Sequence, residues 1–313
     1  MKRTFVFPGQ GSQAPGMGRA LAAAFPAARR LFDEVDEALS QDLSRLMFEG
    51  PESELTLTEN AQPALLAASL AVIRVLESEA GFSIARDAAY VAGHSLGEYS
   101  ALAAAGALPV AEAVRLVKRR GRAMQKAVPA GVGAMAALLG LDVAAARDVA
   151  AAAGQGQVCA VANDNCPGQI VVSGHRAAVE RAIALAAAQG ARRSIMLPVS
   201  APFHCPLMSP AADIMQEALA ATALVAPAVP LVANVTAAAT SDPAEIKRLL
   251  VEQATRMVRW RESVLLFAEN GVEEVVEIGA GRVLAGLVKR IDRNLSALSV
   301  GTPAEVAELM QRL

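Results

Sequence analysis

Residues 4–7 form a short β-branched and aromatic run that stops at Pro8-Gly9-Gln10-Gly11, so the chain should open with a strand and turn sharply. From there to Met124, apolar positions recur mainly at helical period, interrupted by one short continuous apolar run at residues 88–92. Helical segments alternating with short apolar runs predict an α/β core, a parallel sheet flanked by helices. The most apolar stretch, residues 64–73, is far shorter than a bilayer span and is followed by Arg74, which marks it as a buried core helix.

At Pro129-Ala130-Gly131-Val132-Gly133 the pattern breaks as at a hinge, and a compact alternation follows. It predicts a strand at 134–139, a helix at 143–153 and a strand at 158–162. A turn at 163–168 (Asn163-Asp164-Asn165-Cys166-Pro167-Gly168), a strand at 169–173, a helix at 177–189 and a strand at 193–199 complete it. This βαββαβ order is that of a small ferredoxin-like sheet. The expected organisation is a large α/β-hydrolase-like domain from residues 1–129 and 199–313, interrupted by an inserted subdomain at 130–198. The returning chain carries helical periodicity, a strand at 273–278 and the turn Gly279-Ala280-Gly281.

Composition narrows the function classes. Of the 313 residues 54% are hydrophobic but only 4% aromatic, so alanine supplies much of the apolar content and helices should dominate. A formal net charge of -2 offers no bulk field for nucleic acid or an anionic membrane, and neither is expected as a partner. Cys159, Cys166 and Cys205 form no CxxC pair and are odd in number, which argues against a disulfide framework or a thiolate metal site and fits a reducing cytoplasm. The apolar run behind Met1-Lys2-Arg3 ends at Pro8, too short for a secretory signal.

The sharpest chemical signal is Gly93-His94-Ser95-Leu96-Gly97, a G-x-S-x-G sequence following the apolar run at 88–92 and opening a helix. Strand, tight turn and helix is the setting in which such a serine is presented as a nucleophile; the plainer alternative is a helix cap. Ser95 needs a base, and the chain has three histidines. His94 adjoins Ser95 and should diverge from it, and His175 falls in a turn of the insertion. His204 lies in the Pro-punctuated loop where the chain leaves the insertion, a natural cleft. No acidic residue stands beside His204, but Asp242-Pro243 begins a helix that places Gln253 in its last turn. The Gln253 carbonyl there could accept from the imidazole or from water.

Leu96 N–H, after the nucleophile, and Gln10 N–H, between two glycines, are candidate oxyanion donors. On the helix at 110–125, Arg120 shares a face with Ala113, Val117 and Met124, whereas Arg115, Lys118, Arg119 and Arg122 point the other way. An inward arginine requires an anion, either a substrate carboxylate or an internal carboxylate.

Together Phe7-Pro8-Gly9-Gln10-Gly11-Ser12-Gln13, Gly93-His94-Ser95-Leu96-Gly97-Glu98, Arg120-Gly121, Pro202-Phe203-His204 and the segment around Gln253 resemble the malonyl-CoA:acyl-carrier-protein transacylases of bacterial fatty-acid synthesis. The resemblance spans nearly the whole chain. It implies Ser95 as acylated nucleophile, His204 as general base and acid, and the Gln253 carbonyl as the partner of His204. Gln10 and Leu96 become oxyanion donors, Arg120 the malonyl-carboxylate anchor, and Asn163 a cleft residue near His204. Phe203 resembles the aromatic of malonyl-selective relatives and should disfavour methylmalonyl groups. Malonyl-CoA and an acyl carrier protein are the implied partners of a monomeric enzyme, with coenzyme A and phosphopantetheine thioesters as substrates and no metal or cofactor. Outward basic residues such as Lys118, Arg119, Lys289 and Arg290 could guide an acidic carrier. Rival readings are a serine hydrolase or thioesterase, a non-catalytic scaffold, and the malonyl-transfer subunit of a malonate decarboxylase or polyketide synthase.

Overall fold

The computed structural model describes residues 1–313. In chain order its strands are β1 (Arg3–Phe7), β2 (Tyr90–Gly93), β3 (Gly133–Leu139), β4 (Cys159–Cys166), β5 (Gln169–His175), β6 (Arg193–Met196), β7 (Leu231–Val232), β8 (Ala239–Thr240), β9 (Glu274–Ile278) and β10 (Ser296–Val300). They form a six-stranded sheet in the order β10-β9-β1-β2-β7-β8, parallel except for the β7–β8 pair, and a four-stranded antiparallel sheet in the order β4-β5-β3-β6. The fold is therefore mixed α/β around a mainly parallel sheet.

Side chains alternate across the larger sheet as strand geometry requires. Phe5, Phe7, Val91, Val276 and Ile278 join one core with helix Thr58–Ala80, while Val6, Ala92, Val232 and Val275 join another with helices Trp260–Glu269 and Val283–Ile291. Covered on both faces, β1 and β9 can be apolar or buried throughout. Helix Thr58–Ala80 is long and apolar enough to cross a membrane, but it is enclosed by protein: every residue from Asn60 to Ile73 is buried. An all-round apolar surface is what a central core helix needs.

In the smaller sheet, Ala134, Ala136 and Leu138 of β3 pack on helices Val143–Gly154 and Arg176–Ala188. The intervening Met135 and Ala137 face Met124, Phe203 and Ala254 of the larger unit. Here the expected turn at 163–168 is corrected: β4 continues through Cys166, bulging between Val161 and Asn163 and again between Asp164 and Cys166, and only Pro167-Gly168 turns. The run Asn163-Asp164-Asn165 imitates a turn because its side chains are polar, yet Asp164 and Asn165 find partners that reach the strand from other segments. Asp164 accepts from Arg261 Nε at 2.9 Å, and Asn165 Oδ1 meets His94 Nε2 at 2.9 Å. The last strand also ends sooner than its pattern suggests, at Met196, freeing residues 197–199 for the cleft.

Parallel pairing fixes where the chemistry gathers. Phe7 of β1 lies opposite Gly93 of β2, and His94 N–H donates to the Phe7 carbonyl at 3.0 Å. The Gln10 loop and Ser95 therefore leave the sheet side by side at the carboxyl ends of their strands, where open α/β sheets collect ligands.

Candidate active site

The turn at Ser95 is built by close main-chain approach. A Cβ at Gly93 would sit 1.9 Å from the Gly97 carbonyl carbon, and one at Gly97 would sit 2.1 Å from the Phe7 carbonyl oxygen. Only glycine fits either place. Ser95 itself has φ 54°, a left-handed conformation that a serine holds only under restraint. Asn234 provides much of that restraint, accepting from Ser95 N–H at 2.8 Å and donating to the Gly93 carbonyl at 2.7 Å. Gln253 Nε2 donates to the Ser95 carbonyl at 2.9 Å.

His204 Nε2 lies 2.8 Å from Ser95 Oγ, and His204 Nδ1 lies 2.8 Å from the Gln253 carbonyl oxygen. A carbonyl can only accept, so the Nδ1 carries the proton and Nε2 is left to accept from the serine hydroxyl. Burial, reinforced by the nearby Arg120 charge, pushes the His204 pKa down to about 3 and keeps the ring neutral. Gln253 ends helix Pro243–Gln253, whose start is capped by Asp242. Its carbonyl is one of those that a helix terminus leaves for outside partners. The other histidines are engaged elsewhere, His94 with Asn165 and His175 with Val158 N–H.

Arg120 is 1% exposed and has no carboxylate within ion-pair distance, so the internal salt bridge left open by the sequence is not formed directly. Its Nη1 donates to Gln62 Oε1 at 2.9 Å, and its Nη2 to Gln253 Oε1 at 2.8 Å and Ser95 Oγ at 3.0 Å. Behind it the guanidinium lies 5.7 Å from the centre of the Tyr99 ring. Lys118 corrects another expectation: it is buried, donating to Gln41 Oε1 at 2.7 Å and Asn60 Oδ1 at 2.8 Å. Helix Val110–Ala127 is covered on two sides, so its buried arc extends beyond a single apolar stripe. Arg115, Arg119, Arg122, Lys289 and Arg290 are exposed as expected.

A cavity of about 270 Å³ opens onto Ser95 and His204. Gln10, Leu96, Arg120, Asn163 and Phe203 also line it, so every candidate side chain or loop meets here, with Gln253 just behind. The Gln10 and Leu96 N–H groups make no hydrogen bond within the protein. Phe203 forms an apolar wall with Met124, Met135 and Leu197, while Asn163 arrives from β4, bridged to Val258. Sequence reasoning missed Gln62, Glu98 and Asn234. Glu98 left a signal, a carboxylate in a helix whose neighbours are apolar or small; Gln62 and Asn234 left none, because their roles arise from distant segments.

The acyl transferase domain family matches residues 4–312. The malonyl CoA-acyl carrier protein transacylase of Bacillus subtilis is 49% identical over 100% of this chain and 97% of its own length. A crystal structure of acyl-carrier-protein S-malonyltransferase from Bartonella henselae, 51% identical, superposes with a TM-score of 0.97 over 100% of this chain and 99% of that one. A malonyl-transacylase in complex with a type II polyketide synthase acyl carrier protein, 43% identical, gives 0.96 over 100% of both chains. With the serine elbow, the neutral histidine and the buried arginine in one cleft, the chain belongs to the malonyl CoA-acyl carrier protein transacylases of the acyl transferase domain family.

Proposed function

We propose that this protein moves a malonyl group from malonyl-CoA to the phosphopantetheine thiol of an acyl carrier protein serving fatty-acid or polyketide synthesis, by a ping-pong route through a Ser95 ester. The observation that carries this reading is Arg120, buried beside the Ser95 hydroxyl with neutral partners only. Its planar fork suits a carboxylate on the acyl group, which an ordinary esterase site has no reason to accommodate. Ser95 Oγ attacks the thioester carbon as His204 Nε2 takes its proton, and the Gln10 and Leu96 N–H groups receive the oxyanion. The C–S bond breaks and coenzyme A leaves with the proton from His204. The carrier thiol then gives its proton to His204 and attacks the ester carbon, the C–O bond to Ser95 breaks, and His204 hands the proton to the departing Ser95 Oγ. Every step exchanges an acyl group between oxygen and sulfur, so the chemistry balances without a cofactor.

In this reading the Gln253 carbonyl holds the His204 tautomer, Phe203 limits the width of the acyl pocket and Asn163 offers a polar contact from the opposite wall. Residues 1–129 and 199–313 act as an α/β-hydrolase-like catalytic domain, and 130–198 as a ferredoxin-like insertion that closes one side of the cleft. The strand order β4-β5-β3-β6 with two helices on one face supports that assignment. The test is intact-mass analysis after mixing with malonyl-CoA, followed by addition of phosphopantetheinylated carrier. A malonyl adduct on Ser95 that disappears as malonyl-carrier forms, and is absent from Ser95→Ala, is expected. Free malonate accumulating while the carrier stays unloaded would instead make the protein a hydrolase.

A further inference from the structure

A guanidinium as deeply buried as Arg120 is destabilising unless negative charge lies near. The nearest carboxylate reaches it through an amide. Glu98, 1% exposed on helix Gly97–Ala104, accepts from Gln253 Nε2, while Oε1 of that same amide accepts from Arg120 Nη2 at 2.8 Å. The other Glu98 oxygen accepts from Asn234 N–H at 3.0 Å. Two N–H donors, one on each oxygen, suit an ionised carboxylate. Burial nevertheless pushes the Glu98 pKa up to about 7, against the pull of those donors and of Arg120. Gln253 therefore serves the site through both parts of the residue: its main chain holds His204, and its side chain joins Glu98 to Arg120 while also donating to the Ser95 carbonyl.

We propose that Glu98 is a positioning residue for recognition of the malonyl carboxylate, fixing the Gln253 amide so that its oxygen faces Arg120 and supplying counter-charge without occupying the guanidinium fork. A direct Glu–Arg pair would set a competing carboxylate on the donors that the substrate needs; an intervening amide keeps the charge close and sets only a neutral oxygen on Nη2. The proposal rests on the reading of Arg120 as the malonyl anchor.

It is tested by measuring Ser95 acylation with malonyl-CoA and with acetyl-CoA, which lacks the carboxylate, in the full-length protein. Glu98→Gln places an N–H₂ against donors and removes the charge. The malonyl-to-acetyl ratio of kcat/KM should fall about tenfold to a hundredfold, the size of one hydrogen bond to a charged group, chiefly through KM for malonyl-CoA. Arg120→Ala should lower the ratio at least as far, and adding Glu98→Gln to it should lower the ratio no further, because both act through one contact. Equal losses on both substrates, or losses that add in the double variant, would make Glu98 a packing residue and overturn the proposal. An unchanged ratio in Arg120→Ala would remove the anchor reading itself and the proposal with it. If Glu98→Gln does not fold, Gln253→Met, which retains the main-chain carbonyl, should lower the ratio in the same way; an unaltered ratio there also overturns the proposal.

Discussion

At the Ser95 oxygen two contacts converge, His204 Nε2 at 2.8 Å and Arg120 Nη2 at 3.0 Å. The arginine that would bind the substrate also lowers the basicity of the histidine that activates the serine, adding to the effect of burial. Since the folded-state pKa of His204 is about 3, far below the ordinary imidazole value, loss of its base form on acidification should begin well below pH 6.5. Removing the charge with Arg120→Ala raises the His204 pKa, so the acid limb of acetyl-Ser95 formation should move to higher pH. A pH–rate profile of both proteins measures the shift, and coincident limbs would show that burial alone sets the value. Phe203 governs a different property of the same pocket. Shortening it in Phe203→Ser should raise kcat/KM for methylmalonyl-CoA relative to malonyl-CoA about tenfold, since one methyl group is worth about 1 to 3 kcal/mol in such a wall. Competition between the two thioesters reads the ratio, and an unchanged ratio would place the selectivity elsewhere.

Elements with a strong local pattern were legible in the sequence. The opening strand, the serine elbow, the helix that carries Gln253 in its last turn and the strand β3 each depend on neighbours in the chain. Illegible features arise from contacts across distance. Asn163-Asp164-Asn165 stays in a strand because Arg261 and His94 reach it, and Lys118 is buried because Gln41 and Asn60 meet it. Asn234 restrains Ser95 from 139 residues away. Gly121 shows how such contacts constrain a helix: a Cβ there would lie 2.6 Å from the Thr58 carbonyl oxygen and 2.8 Å from Glu59 Cα. Main chain cannot yield as a flexible side chain does, so Gly121→Ala should separate helices Val110–Ala127 and Thr58–Ala80 and cost about 1 to 3 kcal/mol. Thr58 Oγ1 also accepts from Gln10 Nε2 at 3.3 Å, so the shift would disturb Arg120 and the Gln10 loop together. A lower urea midpoint with an unchanged slope, accompanied by slower malonyl acylation, is the expected result. A wild-type midpoint would show that the helix pair adjusts freely.

Across the whole molecule, the cleft exists because two sheets meet at it. The larger sheet presents Ser95, while Met135 and Asn163 reach the same cavity from the smaller one. Their junction is polar as well as apolar. Asp164 N–H donates to the Val258 carbonyl at 3.0 Å, and the Asp164 carboxylate, fully buried, is paired with Arg261 at 2.7 Å. Arg261→Ala would leave that carboxylate without its cation inside the junction. The cost should be about 2 kcal/mol, below that of breaking a fully enclosed pair because the Arg261 side chain is 27% exposed. Loosening the junction should speed amide hydrogen exchange in β4 before it affects β1, whose pairing lies within the larger sheet. Acylation by malonyl-CoA and acetyl-CoA should slow together, because Arg120, Gln62 and Gln253 belong to segments of the larger unit and keep their mutual contacts. Exchange confined to β4 with an unchanged substrate ratio would therefore separate the walls of the cleft from its carboxylate recognition. A falling ratio would mean that docking of the smaller sheet also sets the position of Arg120.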